Sequence, residues 1–184
     1  PYGESTLLTE KILESYCKYA ELNAVALRYF NPVGSNGFIF DRHIPITHLM
    51  PRVLKSLQDE RVAFKIYGQD YNTPDGTGVR DYIHILDLVD AHIACIEYLQ
   101  RNNGFDVFNV GTGVGTSVLE MVNLAKEVTG LTKETEYGPR REGDADQLIA
   151  DASKIEQKMG WKAKRGKREM VESAWVGEKD RPVD

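Results

Sequence analysis

The segment Tyr67-Gly-Gln-Asp-Tyr-Asn-Thr-Pro-Asp-Gly-Thr-Gly-Val-Arg-Asp-Tyr-Ile-His84 decides how the rest of the chain is read. Before Val79 it holds Pro74 and the glycines Gly68, Gly76 and Gly78. Proline removes a backbone donor, and glycine admits φ values that other residues avoid. A regular helix or central strand is therefore excluded there, and a loop is predicted. From Val79 to Ile85 the pattern predicts a short extended piece running out of that loop. Asp87 follows with the side chain of a helix N-cap. Arg80 thus stands at a loop–strand junction, where a guanidinium offers a planar fork of donors suited to phosphate. The plainer alternative is a surface loop in which Arg80 pairs with Asp81 or Asp75.

Working outward toward the C-terminus, 87–100 predicts an amphipathic helix with Leu88, Ala91, Cys95 and Leu99 inward. Val107 to Val110 predicts a strand. Gly111, Gly113 and Gly115 then imitate a dinucleotide loop, but the spacing is G-x-G-x-G and no acid follows at the distance a ribose requires. The segment is rejected as a cofactor loop. Ser117 and Glu120 have the spacing of a capping box for a helix over 118–128, which Gly130 ends. Tyr137-Gly-Pro-Arg-Arg-Glu-Gly-Asp144 is a second arginine-bearing loop. Asp151 is placed to cap a helix over 152–159, and a last helix is predicted over 167–178 with Met170, Ala174 and Trp175 inward.

Toward the N-terminus, Val62, Phe64 and Ile66 alternate as a strand, and Val53, Leu54 and Leu57 mark a helix over 51–58. Residues 35–43 read as a loop. Over 23–30, Val25, Leu27 and Tyr29 alternate with Ala24, Ala26 and Arg28, which predicts a strand. Pro32 pushes Asn31 out of the helical region and ends it. Leu8, Ile12, Tyr16 and Tyr19 recur at helical spacing over 5–22. The chain opens in the middle of a pattern, which gives the expectation of a piece cut from a longer protein.

With 184 residues, 41% hydrophobic and 28% charged, the chain suits a globular domain with a sizeable core. A net charge of −5 argues against broad nucleic-acid binding. The basic run 162–168 is flanked by acids and reads as a solvated helix entry. The cysteines, Cys17 and Cys95, sit in apolar helical patterns and read as buried free thiols of a reducing compartment. The four histidines, His43, His48, His84 and His92, lack metal-ligand spacing. No apolar run is long enough to span a bilayer, and cytoplasm is the default expectation.

The segment 75–84 with Tyr67-Gly-Gln-Asp-Tyr71 closely resembles the UDP-galactose 4-epimerases of the extended short-chain dehydrogenase/reductase superfamily. Arg28-Tyr-Phe-Asn-Pro-Val-Gly34, Ile44-Pro-Ile-Thr-His-Leu-Met-Pro51 and the 137–144 loop extend the resemblance over almost the whole chain. It covers only the second half of that family's sequence. Resemblance to sibling enzymes acting on UDP-glucuronate or dTDP-glucose is weaker.

The resemblance implies roles. Tyr2 matches the family's acid/base tyrosine, while Thr6 stands where its lysine belongs. A free tyrosine titrates near ~10, and each unit of lowering needs about 1.36 kcal/mol, for which Thr6 carries no charge. Tyr29 and Phe30 fall at the nicotinamide wall, Asn31 at the diphosphate, and His48 and Leu49 beside it. Lys65 and Tyr67 fall at the uracil pocket, with Tyr67 stacking on the base. Arg80 and Arg141 take the diphosphate, with Tyr82 beside them. Asp144 takes the ribose, Val118 lies near the sugar nucleotide, and Leu148 sizes the sugar pocket. No metal is implied.

The implied fold is α/β: terminal units of a Rossmann-like doubly wound sheet plus a small α/β substrate-binding lobe. Residues 1–31 would be a remnant of the NAD-binding domain. Residues 32–184 would be mainly the UDP-sugar-binding domain, with 79–110 packing back on the Rossmann sheet. The implied activity is UDP-glucose/UDP-galactose 4-epimerisation, with NAD oxidising C4, a 4-keto intermediate and re-reduction. The glycine-rich strand–turn–helix of the NAD site does not occur here, so the NAD site is incomplete and the isolated chain is expected to be inactive. The alternative is a non-catalytic UDP-sugar-binding module or a subunit of a split epimerase. Implied partners are a UDP-sugar and either a second copy in a homodimer or the missing NAD-binding half; no nucleic acid or membrane is implied. The helix over 5–22 would expose an apolar face inviting that association.

Overall fold

The computed structural model describes residues 1–39 and 45–179. His43 and Ile44, which belong to the expected loop and to one motif, lie outside the described residues. The order of elements is α1 (Tyr2–Tyr19), β1 (Ala24–Tyr29), β2 (Asn31–Val33), α2 (Leu49–Gln58), β3 (Lys65–Tyr67) and β4 (Val79–His84). There follow α3 (Ile85–Leu99), β5 (Phe105–Val110), β6 (Gly115–Ser117), α4 (Val118–Thr129), β7 (Glu136–Gly138), β8 (Gln147–Leu148), α5 (Ser153–Met159) and α6 (Lys167–Glu178).

Strand β4 grows out of the loop that opened the sequence reading, and it organises the molecule. It pairs in parallel with β2 and β8 and antiparallel with β6. Side chains alternate across a strand. Tyr82 therefore enters a core with Met50, Leu54, Met121 and Met170, where α2, α4 and α6 meet. Ile83 enters a second core on the other face with Leu88, Phe108 and Ile155, from α3, β5 and α5, and with Trp161 just after α5. The same alternation places Arg80 on Tyr82's side and Asp81 on Ile83's.

β1 and β5 form a separate parallel pair, with Ala24 opposite Phe105 and Tyr29 opposite Val110. β3 and β7 form a third parallel pair. Val62 and Phe64 lie before β3 instead of in it, because only Lys65–Tyr67 meets a partner strand.

Asp81 is completely buried. Its carboxylate accepts from Thr112 N at 2.9 Å, Thr112 Oγ1 at 2.6 Å, Gly113 N at 2.9 Å and Ala150 N at 3.2 Å. The glycine-rich turn after β5 thus holds an internal anion, which leaves those amides unavailable to a pyrophosphate. A Cβ on Gly111 would stand 2.6 Å from Asp81 Oδ2 and 2.4 Å from Ala150 Cβ, so only glycine allows the approach.

Several helix boundaries obey local rules. The capping box of Ser117 and Glu120 is formed on both sides, and Gly130 closes α4 in the left-handed region at φ 68°. Asp151 accepts from Ser153 N at 3.0 Å at the start of α5. The α3 cap differs from expectation. His84, not Asp87, caps it, with Nδ1 accepting from Leu86 N at 3.0 Å. Asp87 is buried in the first turn, where it accepts from the backbone N–H groups of Lys164 and Arg165 and pairs with the Arg165 guanidinium at 2.5 Å. Arg165 also reaches Asp90, while Lys167 and Arg168 pair with Glu120 and Glu127 of α4. The basic run is therefore a clip tying the start of α6 to α3 and α4, beyond the solvated entry expected.

α1 begins earlier than expected and ends at Tyr19. None of its residues is buried, and Leu8, Ile12, Tyr16 and Tyr19 stand exposed along it. Cys17 is consequently half-exposed instead of buried, whereas Cys95 is buried; both thiols are free. Burial pushes the Cys95 thiol up to about 11. Among the described residues no helix is long and apolar enough to cross a membrane.

Candidate functional site

A cavity of about 230 Å³ opens beside the N-terminal half of β4. Each wall follows from an element already described. β2 brings Asn31, whose amide donates to Asp81 O at 3.0 Å. The start of α2 brings Leu49, and the start of α4 brings Val118. β4 contributes Arg80 and Tyr82, alternate residues on one face of the strand. β3 supplies Lys65 and Tyr67, and the loop after β7 supplies Arg141 and Asp144.

Two arginines are held differently. One Arg80 nitrogen donates to Val79 O and Ala145 O, each at 2.9 Å, and the other lies 3.8 Å from Asp144 Oδ2. Arg80 thus pairs with neither Asp81 nor Asp75, which are engaged by other donors. The Arg141 guanidinium stacks over the Tyr67 ring, 4.2 Å from its centroid. The β3–β7 register sets Tyr67 opposite Gly138, and a Cβ on Gly138 would stand 3.1 Å from the Tyr67 ring. Glycine there lets the ring lie flat beside the loop that carries Arg141. Lys65 pairs with Glu136 at 3.1 Å across the same two strands.

The Tyr82 phenol is pushed well above its ordinary value by burial, with Arg80 acting weakly the other way. It stays protonated at neutral pH and can act only as a hydroxyl. Among the described residues the cavity therefore offers guanidinium donors, an aromatic face and the Asp144 carboxylate, a set that suits a phosphorylated ligand with an aromatic base.

The remaining candidates lie elsewhere. His48 precedes α2 and lines a neighbouring apolar cavity of about 490 Å³ with Val33, Met50 and Leu54. Leu148 lies in β8, opposite Arg80 and more than half exposed. Phe30 follows β1, its N–H donating to Val110 O at 3.4 Å. Tyr29 is engaged by His92, Oη to Nε2, at 2.7 Å. His92 Nδ1 lies 2.8 Å from Leu88 O, which only accepts, so Nδ1 carries the proton and Nε2 receives the tyrosine hydroxyl. Burial raises the Tyr29 phenol, with Cys95 adding to it.

Tyr2 is 85% exposed and does not line the cavity. Thr6 Oγ1 donates back to the Tyr2 carbonyl at 2.6 Å, so its hydroxyl is engaged by the helix backbone. No lysine ammonium occupies that turn.

Sequence reasoning missed Thr47, Arg52, Phe64, Ile66, Tyr71 and Gly78 as lining residues. Tyr71 belongs to the motif quoted for the resemblance; its hydroxyl donates to Asp144 Oδ2 at 3.5 Å, and the Arg140 guanidinium lies 4.0 Å from its ring centroid. Arg52 has no motif to mark it.

The fold is α/β, and its cavity is lined by two arginines, an aromatic ring and a carboxylate brought from separate elements. The model of the NAD dependent epimerase/dehydratase family matches residues 1–111, and the chain belongs to that family. The UDP-glucose 4-epimerase of Lactobacillus helveticus is 44% identical over 99% of this chain and 56% of its own length. That of Rhizobium leguminosarum bv. trifolii is 41% identical over 95% of this chain and 54% of its own. Among solved structures, UDP-glucose 4-epimerase from Bifidobacterium longum in complex with NAD+ and UDP matches with a TM-score of 0.89 at 41% identity, over 99% of this chain and 55% of that one. The Brucella ovis enzyme in complex with NAD gives a TM-score of 0.92 at 36% identity, over 97% of this chain and 56% of that one. The chain spans about half the length of the curated relatives it matches.

Proposed function

We propose that this chain carries the UDP-sugar-binding part of a UDP-glucose/UDP-galactose 4-epimerase. The observation that supports this best is the gathering of Asn31, Tyr67, Arg80, Arg141 and Asp144 from separate elements onto one cavity. In this reading Arg80 and Arg141 offset the two phosphates, Tyr67 stacks on uracil and Asp144 receives the ribose hydroxyls. Asn31, Leu49, Lys65, Tyr82 and Val118 complete the wall, with His48 and Leu148 at its margins. Binding energy from the nucleotide positions the hexose, and the nucleotide itself is not consumed.

NAD would supply the redox chemistry at C4 in the whole protein. The described residues offer it only an edge, Tyr29 and Phe30. Among them no glycine-rich turn is free to receive a pyrophosphate, since the 111–113 turn is filled by Asp81. No step of the reaction is therefore derived on this chain alone. Residues 1–31 belong, in this proposal, with the NAD-binding domain and 32–184 mainly with the sugar-nucleotide domain. The β1–β5 pairing supports assigning 79–110 to the shared sheet. The exposed apolar residues of α1 are the surface for a second copy or for the NAD-binding half, in the cytoplasm.

A second reading is a non-catalytic UDP-sugar-binding module or a subunit of a split epimerase. Thr6, in place of a charged neighbour for Tyr2, favours it. Titration calorimetry tests what the two share: UDP is expected to bind the chain more tightly than about 1 mM without NAD, and Arg80→Met to weaken it at least tenfold. No heat of binding from a chain with a folded circular dichroism spectrum refutes both. Turnover of UDP-galactose by the pure chain with added NAD would refute the expectation that it is inactive alone.

A further inference from the structure

Arg52 lies one turn after Leu49 on α2, just beyond the end of the 44–51 motif, and both residues line the cavity of Arg80 and Arg141. The cavity's cations are Arg52, Lys65, Arg80 and Arg141; among the described residues its carboxylate is Asp144. Lys65 is answered by Glu136, and Arg80 by carbonyl oxygens and Asp144. Arg52 has no hydrogen-bond or ion-pair partner for its side chain among the described residues, although it is half-buried. Arg141 has only its stacking on Tyr67.

Outside the cavity, the arginine without a side-chain hydrogen bond or ion pair among the described residues, Arg101, is exposed to solvent, whereas Arg52 is half-buried. The chain has a net charge of −5, and Arg28, Arg61, Arg165 and Arg168 have each found a carboxylate. A half-buried guanidinium left unanswered beside two others is raised in energy by repulsion and by partial loss of water. An anion entering the cavity relieves both. We infer that Arg52 is a third anion-binding guanidinium of this cavity and takes a phosphate oxygen of the nucleoside diphosphate. The inference rests on the proposed function and deepens it. Arg80 is held rigid by carbonyls, whereas Arg52 and Arg141 keep their donors free and close on the diphosphate from α2 and from the loop after β7.

The test is calorimetric titration of UDP and of uridine into the unsubstituted chain, Arg52→Met and Arg52→Gln. Both variants are expected to bind UDP about tenfold more weakly, to bind uridine unchanged and to unfold at a denaturant midpoint no lower than that of the unsubstituted chain. Arg52→Lys, which keeps the charge but not the fork, is expected to recover part of the loss. The loss is expected to shrink as salt is raised. UDP binding unchanged in either folded variant overturns the inference, as does an equal weakening of UDP and uridine, which assigns Arg52 to the nucleoside or to the fold. If the unsubstituted chain itself binds no UDP, the functional reading falls, and this inference with it. If that chain binds and the variants bind alike, the inference alone falls.

Discussion

Replacing Asp81 by Asn tests whether the glycine-rich turn is a structural anion site. One carboxylate oxygen takes both donors of Thr112, and the other takes Gly113 N and Ala150 N. Asparagine keeps the shape but turns one oxygen into a donor. With the NH₂ turned to Gly113 N and Ala150 N, both donors go unanswered; turned to Thr112, its hydroxyl can rotate to accept and the Thr112 N–H alone goes unanswered, in a fully buried place. A hydrogen bond to a charged acceptor is worth about 1.5–3 kcal/mol, so losing one or two costs about 1.5–6 kcal/mol. Relief from burying a charge offsets part of that, leaving an expected loss of about 1–4 kcal/mol. Against a stability of about 5–15 kcal/mol for a typical domain, this is a large fraction. Urea unfolding followed by circular dichroism measures it, with the slope unchanged and the midpoint lowered. Gly111→Ala, which drives a Cβ toward the same carboxylate, is expected to share the effect, so the double variant should lose less than the sum. A loss below about 1 kcal/mol for Asp81→Asn would show that the turn does not depend on the charge, and the reasoning given for it would be wrong.

Other predictions concern groups at a distance from the cavity. Burial holds the His84 imidazole below its ordinary value, with Glu169 and Asp87 opposing that and Arg165 aiding it. Its Nδ1 accepts the Leu86 N–H and its Nε2 meets Ser173 Oγ at 3.0 Å, so the added proton would displace the α3 cap. The unfolded chain then binds the proton more readily than the folded one. Stability is full above about pH 6.5 and falls as the pH drops below it. His84→Asn should flatten that slope below about pH 6.5, and an unchanged slope would assign it to other groups. Lys133 Nζ donates to the carbonyls of Ser56, Asp59, Glu60 and Val62 at 3.1, 3.3, 3.2 and 2.8 Å, closing the end of α2 with a positive charge. Lys133→Met keeps the stem and loses the charge. It should cost about 1.5–3 kcal/mol in urea unfolding, and a loss under about 0.5 kcal/mol would mean water satisfies those carbonyls equally well.

What the sequence determined by itself is what adjacent residues decide among themselves. The loop before Val79, the capping box of Ser117 and Glu120 and the stop at Gly130 each rest on partners within a few residues, so their physics is local. The extended piece beginning at Val79 was equally legible, and β4 forms there. The motifs also pointed to Tyr67, Arg141 and Asp144, which the fold gathers with Arg80 and Tyr82. Only the tertiary structure decided where distant charges go. Asp87 has the form of an N-cap, but the backbone of residues 164 and 165 claims it, and His84 takes the cap instead. Asp81 looks like an ion-pair partner for Arg80 until the strand's alternation sends it to the opposite face, into the amides of Thr112, Gly113 and Ala150. Arg52 and Lys133 bear no local mark, because their surroundings come from elements far along the chain. A charge's partner is chosen by which elements pack together, and that choice depends on burial of the cores around Tyr82 and Ile83 more than on any neighbour in sequence.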